Sequence, residues 1–236
     1  PRSKASLHDD GSRVPLAIRW PKGIKDSGRA FHGPVNLSSL APTFLGVAGL
    51  EVPDMMTASS LQDVIQNKSR PNHSAAFIAM ERHDGCRKGG KGYPCRAIRT
   101  KDYLYILNHE PERWPAGDPN REFCARYIPF GEVDSSPTKT LLMENKDKSG
   151  FKRFYDLAFA KRPSEELYHI EKDPEQVVNL ANNPGYAEIQ KKLSDQLREK
   201  LIQTKDPRAL GLPAPWDFYP YYGLKRNKKW KVATKP

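Results

Sequence analysis

The sequence contains no uninterrupted apolar run of about 18 residues, the length that a membrane-spanning helix requires. No secretory signal peptide is visible. The G-x-S-x-G of serine hydrolases, the glycine-rich phosphate-binding loop and the H-E-x-x-H of zinc proteases are also absent. These absences argue against a transmembrane helix and against three common enzyme signatures, so the function must be inferred from weaker patterns.

Cysteine is scarce, with only three residues, Cys86, Cys95 and Cys124. No C-x-x-C pair occurs, and an odd count rules out complete pairing within the chain. We interpret the three as isolated buried thiols, while a Cys86–Cys95 disulfide stays open for an oxidising compartment. A zinc site made of His83, Cys86 and Cys95 is disfavoured because its spacing fits no standard pattern.

Acidic residues are outnumbered, since 28 Asp and Glu oppose 39 Lys and Arg and leave a net charge of +11. Such an excess favours anionic partners, whether nucleic acid, an acidic polysaccharide or a sulfated substrate, without choosing among them. The final stretch, GLKRNKKWKVATKP, is basic and carries no acid. We interpret it as a solvated terminus rather than a binding arm.

The 21 prolines predict many loops and few long regular elements, above all over 110–150. Apolar runs predict strands, and apolar residues at a spacing of three and four predict amphipathic helices. In chain order we expect a mostly buried strand over 14–20, a helix laid on a sheet over 37–50, a short helical piece over 60–66, a strand over 74–80, a hairpin over 93–109 that turns at Lys101-Asp102, a helix over 151–160, a strand over 165–170 and a helix over 185–203.

This order of elements predicts a parallel piece first and an antiparallel piece with a covering helix second, in an α+β module. The last helix is the clearest, because Leu193, Leu197 and Leu201 continue one apolar stripe while the remaining positions are mostly charged. We expect these three leucines to be buried and Lys191 and Glu199 to be exposed.

The densest group of reactive side chains is Glu81-Arg82-His83-Asp84, at the end of the strand predicted over 74–80. Strand ends are the usual place for site residues in open α/β sheets. Arg82 could hold a sulfate or carboxylate, and His83 could donate a proton or a hydrogen bond. From the residues alone, a solvated charged turn is the alternative interpretation.

Four stretches, spread over nearly the whole chain, are SRVPLAIRWPKGIK, VNLSSLAPTFLGVAGLEVP, YPCRAIRTKDYLYILNHEPERWPAGDP and EELYHIEKDPEQVVNLANNPGYAEIQKKL. In this order they resemble the formylglycine-dependent sulfatase family, closest to bacterial relatives of heparan N-sulfatase. The sequence departs from the family pattern at His8, Ser39 and His169, where Tyr, Asp and Asp are usual.

The resemblance implies an α/β, alkaline-phosphatase-like sulfatase fold, of which this chain is the C-terminal portion. Residues 1–90 would be the end of the large α/β domain, 91–205 a small antiparallel sheet with a covering C-terminal helix, and 206–236 a Pro/aromatic segment and basic tail. In the family, a segment like PRSKASLHDDGSRVPL closely follows a D-H/N-G motif. Pro1 therefore resembles a cut inside the active-site loop.

The family's nucleophile is a formylglycine made from the Cys or Ser of C/S-x-P-x-R, and its calcium is held by N-terminal aspartates and the D-H/N-G motif. Neither motif occurs in this sequence. The resemblance therefore assigns calcium and formylglycine to a missing N-terminal part and gives this fragment no bound cofactor. It implies that the intact protein hydrolyses sulfate esters or sulfamates, while the fragment alone is inactive.

Residue by residue, Lys4 matches the lysine that contacts the sulfate group, and Glu81, Arg82 and His83 match a stretch that faces the sugar. The implied partner is a sulfated small molecule or glycan, not nucleic acid, and the implied location is periplasmic or extracellular. The alternative is a non-catalytic basic module that binds nucleic acid or acidic glycans through its charge.

Overall fold

The centre of the molecule is a four-stranded antiparallel sheet in which each strand pairs with the next along the chain. The computed structural model describes residues 3–67 and 74–235; Pro1 lies outside them. The strands are β1 (Ala75–Met80), β2 (Cys95–Thr100), β3 (Tyr103–Asn108) and β4 (Glu165–His169). The hairpin predicted around Lys101-Asp102 is confirmed, with Ile98 opposite Tyr105.

Helices and 3₁₀ turns surround this sheet. The α-helices are α1 (Asp9–Ser12), α2 (Leu40–Val47), α3 (Gln62–Ile65), α4 (Pro137–Glu144), α5 (Ser149–Phe159) and α6 (Ala187–Gln203). Single 3₁₀ turns cover Leu37–Ser39, Lys88–Gly90, Arg121–Phe123, Pro184–Tyr186 and Pro215–Phe218. Within the described residues, no helix is long and apolar enough to cross a membrane.

Helix α6 covers one face of the sheet, as the sequence predicts. Its leucines 193, 197 and 201 are buried, and they pack in one cluster with Ile98, Tyr105 and Leu167 of three successive strands. Lys191 and Glu199 point to solvent. The burial of this apolar stripe is what holds the helix on the sheet, because the side chains on its other face make few contacts with the protein.

The opposite face of the sheet is also buried. Ala97, Leu104, Ile106 and Tyr168 form a cluster there with Leu7 from the N-terminal segment. Successive residues of β2 and β3 therefore point to opposite faces of the sheet and pack in different clusters, as the two-residue period of a strand requires. Through Leu7, this second face holds the N-terminal segment, which carries Lys4, against the sheet.

A third cluster lies beside the sheet, where α4 and α5 pack on Phe130. Helix α5 confirms the helix predicted over 151–160. Helix α4 falls in the region predicted to be loop, although it starts with a standard signal: Ser136 caps it by accepting a hydrogen bond from Lys139 N at 3.2 Å, and Pro137 follows at the first helical position.

The strand predicted over 14–20 is wrong. This segment has no regular structure, and Val14, Leu16 and Ile18 are exposed by 56%, 39% and 38%. A strand needs a neighbour for its backbone hydrogen bonds, and the sheet of the described residues contains only β1–β4. The parallel piece expected first is also absent there, since β1 runs antiparallel to β2.

Helix α2 confirms the helix predicted over 37–50 but not its orientation. Phe44 and Val47, which a helix laid on the sheet would bury, are exposed by 63% and 41%, while Thr43 is buried. The Thr43 hydroxyl donates to Ser39 O at 2.5 Å and accepts from Leu61 N at 2.8 Å. These bonds fix the polar side of α2 against the segment that leads into α3, so the helix is not laid on the sheet.

We predict that Leu197→Ala destabilises the protein by about 2–5 kcal/mol, because Leu197 is 1% exposed and its truncation opens a cavity under α6. The exposed Lys192 of the same helix provides the control, and Lys192→Ala should change the free energy of unfolding by less than about 0.5 kcal/mol. Chemical denaturation of both variants measures the difference. Equal stability of the two variants would contradict the packing described for α6.

Candidate active site

The loop between β1 and β2 carries the reactive group predicted from the sequence. Its ends are joined by a hydrogen bond from Tyr93 N to Glu81 O at 2.8 Å. Gly89 and Gly90 both have a φ of 68°, which favours glycine, so the chain turns back sharply there. The loop therefore presents His83 from a closed and well-supported turn.

The C-terminal tail packs along this loop. Trp230 is 6% exposed, and its Nε1 donates to Phe123 O at 3.0 Å. The backbone N–H of Ala233 donates to Gly89 O at 2.7 Å. The interpretation of the tail as a solvated terminus is therefore wrong for these positions: an aromatic residue among the lysines anchors the tail on the loop.

Glu81 is held by two arginines on the far side of the loop. One carboxylate oxygen accepts from Arg96 at 2.6 Å, and Arg208 donates to both oxygens, at 2.8 Å and 2.7 Å. The Glu81 side chain is only 15% exposed. Both oxygens are thus engaged in ion pairs that tie the sheet to the segment after α6.

Arg82 is held by backbone carbonyl groups. Its guanidinium donates to Tyr219 O at 2.8 Å, Pro220 O at 3.1 Å and Gly90 O at 3.2 Å. No carboxylate pairs with it among the described residues. The side chain therefore connects the loop with the tail, and its positive charge is not neutralised by an ion pair.

His83 forms a hydrogen-bonded relay with two buried residues. Its Nδ1 lies 2.5 Å from Glu132 Oε2, and the other oxygen of Glu132 accepts from Arg87 at 3.0 Å. The side chains of Glu132 and Arg87 are 3% and 4% exposed, whereas that of His83 is 38% exposed. One end of the imidazole is therefore fixed, and the ring still reaches solvent.

The relay favours the charged form of each member. The hydrogen bond to Glu132 raises the pKa of His83 above its ordinary value, despite the opposing effect of burial. Burial by itself would raise the pKa of Glu132, but the hydrogen bond from His83 and the charge of Arg87 lower it instead. The site therefore contains an imidazolium next to a carboxylate over the mildly acidic range.

Lys4 lies on the same side of the loop as His83. Its ammonium is 2.9 Å from Asp134 Oδ2, with both side chains more than half exposed. The hydrogen bond from Lys4 lowers the pKa of Asp134, and the nearby charges of Arg126 and His83 act in the same direction. The Asp134 carboxylate is thus paired with Lys4 and also feels the positive charges of Arg126 and His83.

Arg126, the third cation, forms an ion pair with the buried carboxylate of Asp84. Its Nε lies 3.0 Å from Asp84 Oδ2, and the charge of Asp84 raises the pKa of Arg126. Asp84 is 2% exposed and also accepts hydrogen bonds from Gly85 N and the Tyr221 hydroxyl. The Arg126 side chain remains 38% exposed, so its outer face is available to a ligand.

A small cavity of about 50 Å³ leads inward from Lys4 and Glu132. Its wall is mostly apolar and includes Leu7, Met80 and Val133. The Tyr93 hydroxyl on this wall is buried and has no hydrogen-bond partner among the described residues. The cavity has the size and polarity for a water molecule or a small uncharged substituent.

The cysteines do not form the sites considered from the sequence. All three thiols are free and buried, so the Cys86–Cys95 disulfide is absent. In the described ranges, no group of three His, Cys, Asp or Glu residues could hold a metal ion, which rules out the zinc site with His83 there.

Comparison with known proteins assigns the chain to a family. A family model described as "N-sulphoglucosamine sulphohydrolase, C-terminal" matches residues 3–120, which is half of the chain and includes Lys4 and His83. The chain belongs to this sulfatase family. The resemblance inferred from the sequence motifs is therefore confirmed, and the antiparallel sheet with its covering helix is the fold expected of the sulfatase C-terminal portion.

The chain is also similar to individual sulfatases. The chain is 28% identical over 190 residues to an ulvan-active sulfatase of Formosa agariphila, covering 80% of this chain and 33% of that protein. It is 23% identical over 218 residues to human N-sulphoglucosamine sulphohydrolase, covering 88% and 40%. A solved structure of a 2-O GAG sulfatase gives a TM-score of 0.46 at 18% identity, covering 81% of this chain and 31% of that one. The chain spans about a third of the length of the curated relatives it matches.

Sequence reasoning named Lys4 and His83 in this sulfatase chain but missed their partners. Glu132, Asp134 and Arg126 lie in a stretch without helical or strand periodicity, far along the chain from the loop. The signal that could have indicated these partners is the pair of acids in GEVDSS, which lie two positions apart in a basic chain.

The relay predicts a change in the titration of His83. Replacing Glu132 by Gln removes the carboxylate that stabilises the imidazolium, so the pKa of His83 should fall. In the unchanged protein, stabilisation by charged His83 is complete below pH 6.5 and is lost as the pH rises through its higher folded pKa. Titration of the His83 ring protons by NMR measures both values.

Glu144→Gln is the matched control, since Glu144 is an exposed acid on α4. It should leave the pKa of His83 unchanged. If Glu132→Gln also leaves that pKa unchanged, the relay does not set the charge of the site.

Proposed function

We propose that this chain forms the substrate-binding part of a sulfatase that hydrolyses sulfate esters or sulfamates of a glycan. The observation that carries the proposal is the exposed Lys4–Asp134 ion pair, beside which the charges of His83 and Arg126 also lower the pKa of Asp134. A surface with this excess of cations favours an anionic sulfate ester or sulfamate group. In the free protein, Asp134 occupies the position that an anionic substrate would take beside Lys4.

The names of the relatives support a sugar substrate. The family model and the human relative are named for N-sulphoglucosamine, and the bacterial relative for ulvan. N-sulphoglucosamine is an N-sulfated sugar, and the name of the bacterial relative does not state which bond is cleaved. The proposal is therefore a sulfated glycan, either an O-sulfate or an N-sulfate, for an enzyme that works in the periplasm or outside the cell.

Lys4 would neutralise charge on the sulfate oxygens. The sulfate group gains negative charge toward the leaving atom as its bond to sulfur breaks, so a fixed ammonium stabilises the transition state more than the bound substrate. His83, kept protonated by Glu132, would donate a hydrogen bond or a proton to the leaving oxygen or nitrogen. Arg126, whose side chain is 38% exposed, would add a second permanent cation for the sulfate.

The contacts of Glu81 and Arg82 support positioning roles rather than direct contact with the sugar. Glu81 is engaged by Arg96 and Arg208, and Arg82 by carbonyl groups of the loop and tail. We propose that both residues fix the conformation of the loop that presents His83. His83 and the side chains next to it would then be the residues that contact the sugar.

The described residues do not fit the calcium of the sulfatase family, because they contain no group of three metal-binding side chains. The sequence also holds no C/S-x-P-x-R motif from which a formylglycine could be made. We therefore propose that both come from parts of the enzyme other than these 236 residues.

The proposal predicts that Lys4→Ala, in the longer enzyme of which this chain would be part, lowers kcat/KM by roughly 10²–10³, the usual effect of losing one electrostatic donor. Lys4→Arg should restore only part of the loss, because a planar guanidinium approaches the sulfate differently. Steady-state kinetics with a sulfated monosaccharide measure the effect.

Lys228→Ala is the control, since Lys228 is an exposed cation of the tail. It should leave kcat/KM unchanged. Wild-type kinetics in Lys4→Ala would refute the role of Lys4. If Lys4→Ala has no effect while Lys228→Ala weakens binding to a sulfated polymer, the alternative of a non-catalytic basic module is favoured.

A further inference from the structure

We propose that Cys86 and Cys124, which are free thiols in this structure, can be oxidised to a disulfide that ties the His83 loop to the segment carrying Arg126, Glu132 and Asp134. The two cysteines are far apart in sequence, and each lies close to site residues: Cys86 three positions after His83, and Cys124 two positions before Arg126. The inference concerns the covalent state of the chain and does not depend on the proposed function.

Backbone hydrogen bonds bring the two segments side by side. Ala125 N donates to Gly85 O at 2.7 Å, and Asp118 N donates to Cys86 O at 2.8 Å. The hydrogen bond between residues 85 and 125 joins the residue before Cys86 to the residue after Cys124, so the two cysteines lie in neighbouring stretches of backbone.

The side chains of the two cysteines also meet. A methyl group built on Gly131 would lie 2.6 Å from Cys86 Cβ and 2.8 Å from Cys124 Sγ. Those two atoms are therefore at most about 5.4 Å apart, the sum of the two distances, so the two side chains are neighbours in the interior. Both residues are 0% exposed, and no larger side chain separates them at Gly131.

Cys95 is not a competing partner. It lies on β2 in the cluster on the sheet face opposite α6, with Leu7, Tyr93 and Leu104. Its thiol faces Tyr93 O at 3.7 Å. Cys95 is thus separated from Cys86 and Cys124, and it is the cysteine that would remain a free thiol.

Formation of the bond is an oxidation with a defined acceptor. Each thiol loses its proton, and the two electrons pass to a small disulfide such as oxidised glutathione, which leaves as two thiols after two exchange steps. Burial raises the pKa of Cys86 well above its ordinary value, so its thiolate is disfavoured in the folded chain. We therefore expect the bond to form during folding, before the site closes over the sulfurs.

The test is disulfide mapping of the protein refolded with reduced and oxidised glutathione. After unfolding without reductant and alkylation, mass spectrometry should show Cys95 as the only labelled cysteine of the three and a linked pair of Cys86 and Cys124 peptides. Prior reduction should label all three. This readout uses the unchanged chain and does not depend on the folding of any variant.

Variants then establish the pairing. Cys95→Ser should leave no labelled cysteine, whereas Cys124→Ser should leave Cys86 and Cys95 labelled. Reductant should lower the unfolding midpoint of the unchanged protein by on the order of 10 °C, because the bond closes a loop of about 37 residues, and should leave that of Cys124→Ser unchanged. Labelling of all three cysteines after refolding, or a linkage that includes Cys95, would overturn the proposal.

Discussion

The candidate site depends on a buried carboxylate. Glu132 is withdrawn from water, and an isolated charge there would be costly, so it remains ionised only because two cations contact it. Arg87 is the permanent cation, and His83 becomes the second when it binds a proton. The charge of the exposed imidazole is thus set by a residue that a ligand cannot reach, and the outer surface keeps a positive character beside Lys4.

A second set of ion pairs fixes the loop on which His83 stands. Arg96 of β2 is 2% exposed and pairs with both Glu81 and Asp206, and Arg208 closes the set on Glu81. Removing one member of such a buried group leaves an uncompensated charge, which costs far more than an exposed pair contributes. These ion pairs therefore join the sheet, the loop and the segment after α6, and the tail packs on the outer side of the loop.

The parts of this fold that the sequence predicts are those stabilised by their own periodic pattern. The hairpin β2–β3, strand β4 and helix α6 were foreseeable because their alternating or helical apolar positions match the face that they bury. The segment 14–20 has the same apolar content but no neighbouring strand, so the pattern alone misleads. The partners of His83 come from a loop fixed by ion pairs and turns, for which no periodic signal exists.

The central claim is that Lys4, His83 and Arg126 bind one sulfate group. The most direct measurement is a crystal structure of the longer enzyme, inactivated at its nucleophile and soaked with N-sulphoglucosamine. The account predicts sulfate oxygens within hydrogen-bond distance, about 2.7–3.2 Å, of the Lys4 ammonium and the His83 ring, with Asp134 displaced from Lys4. A bound sulfate group that touches none of these three side chains would contradict it.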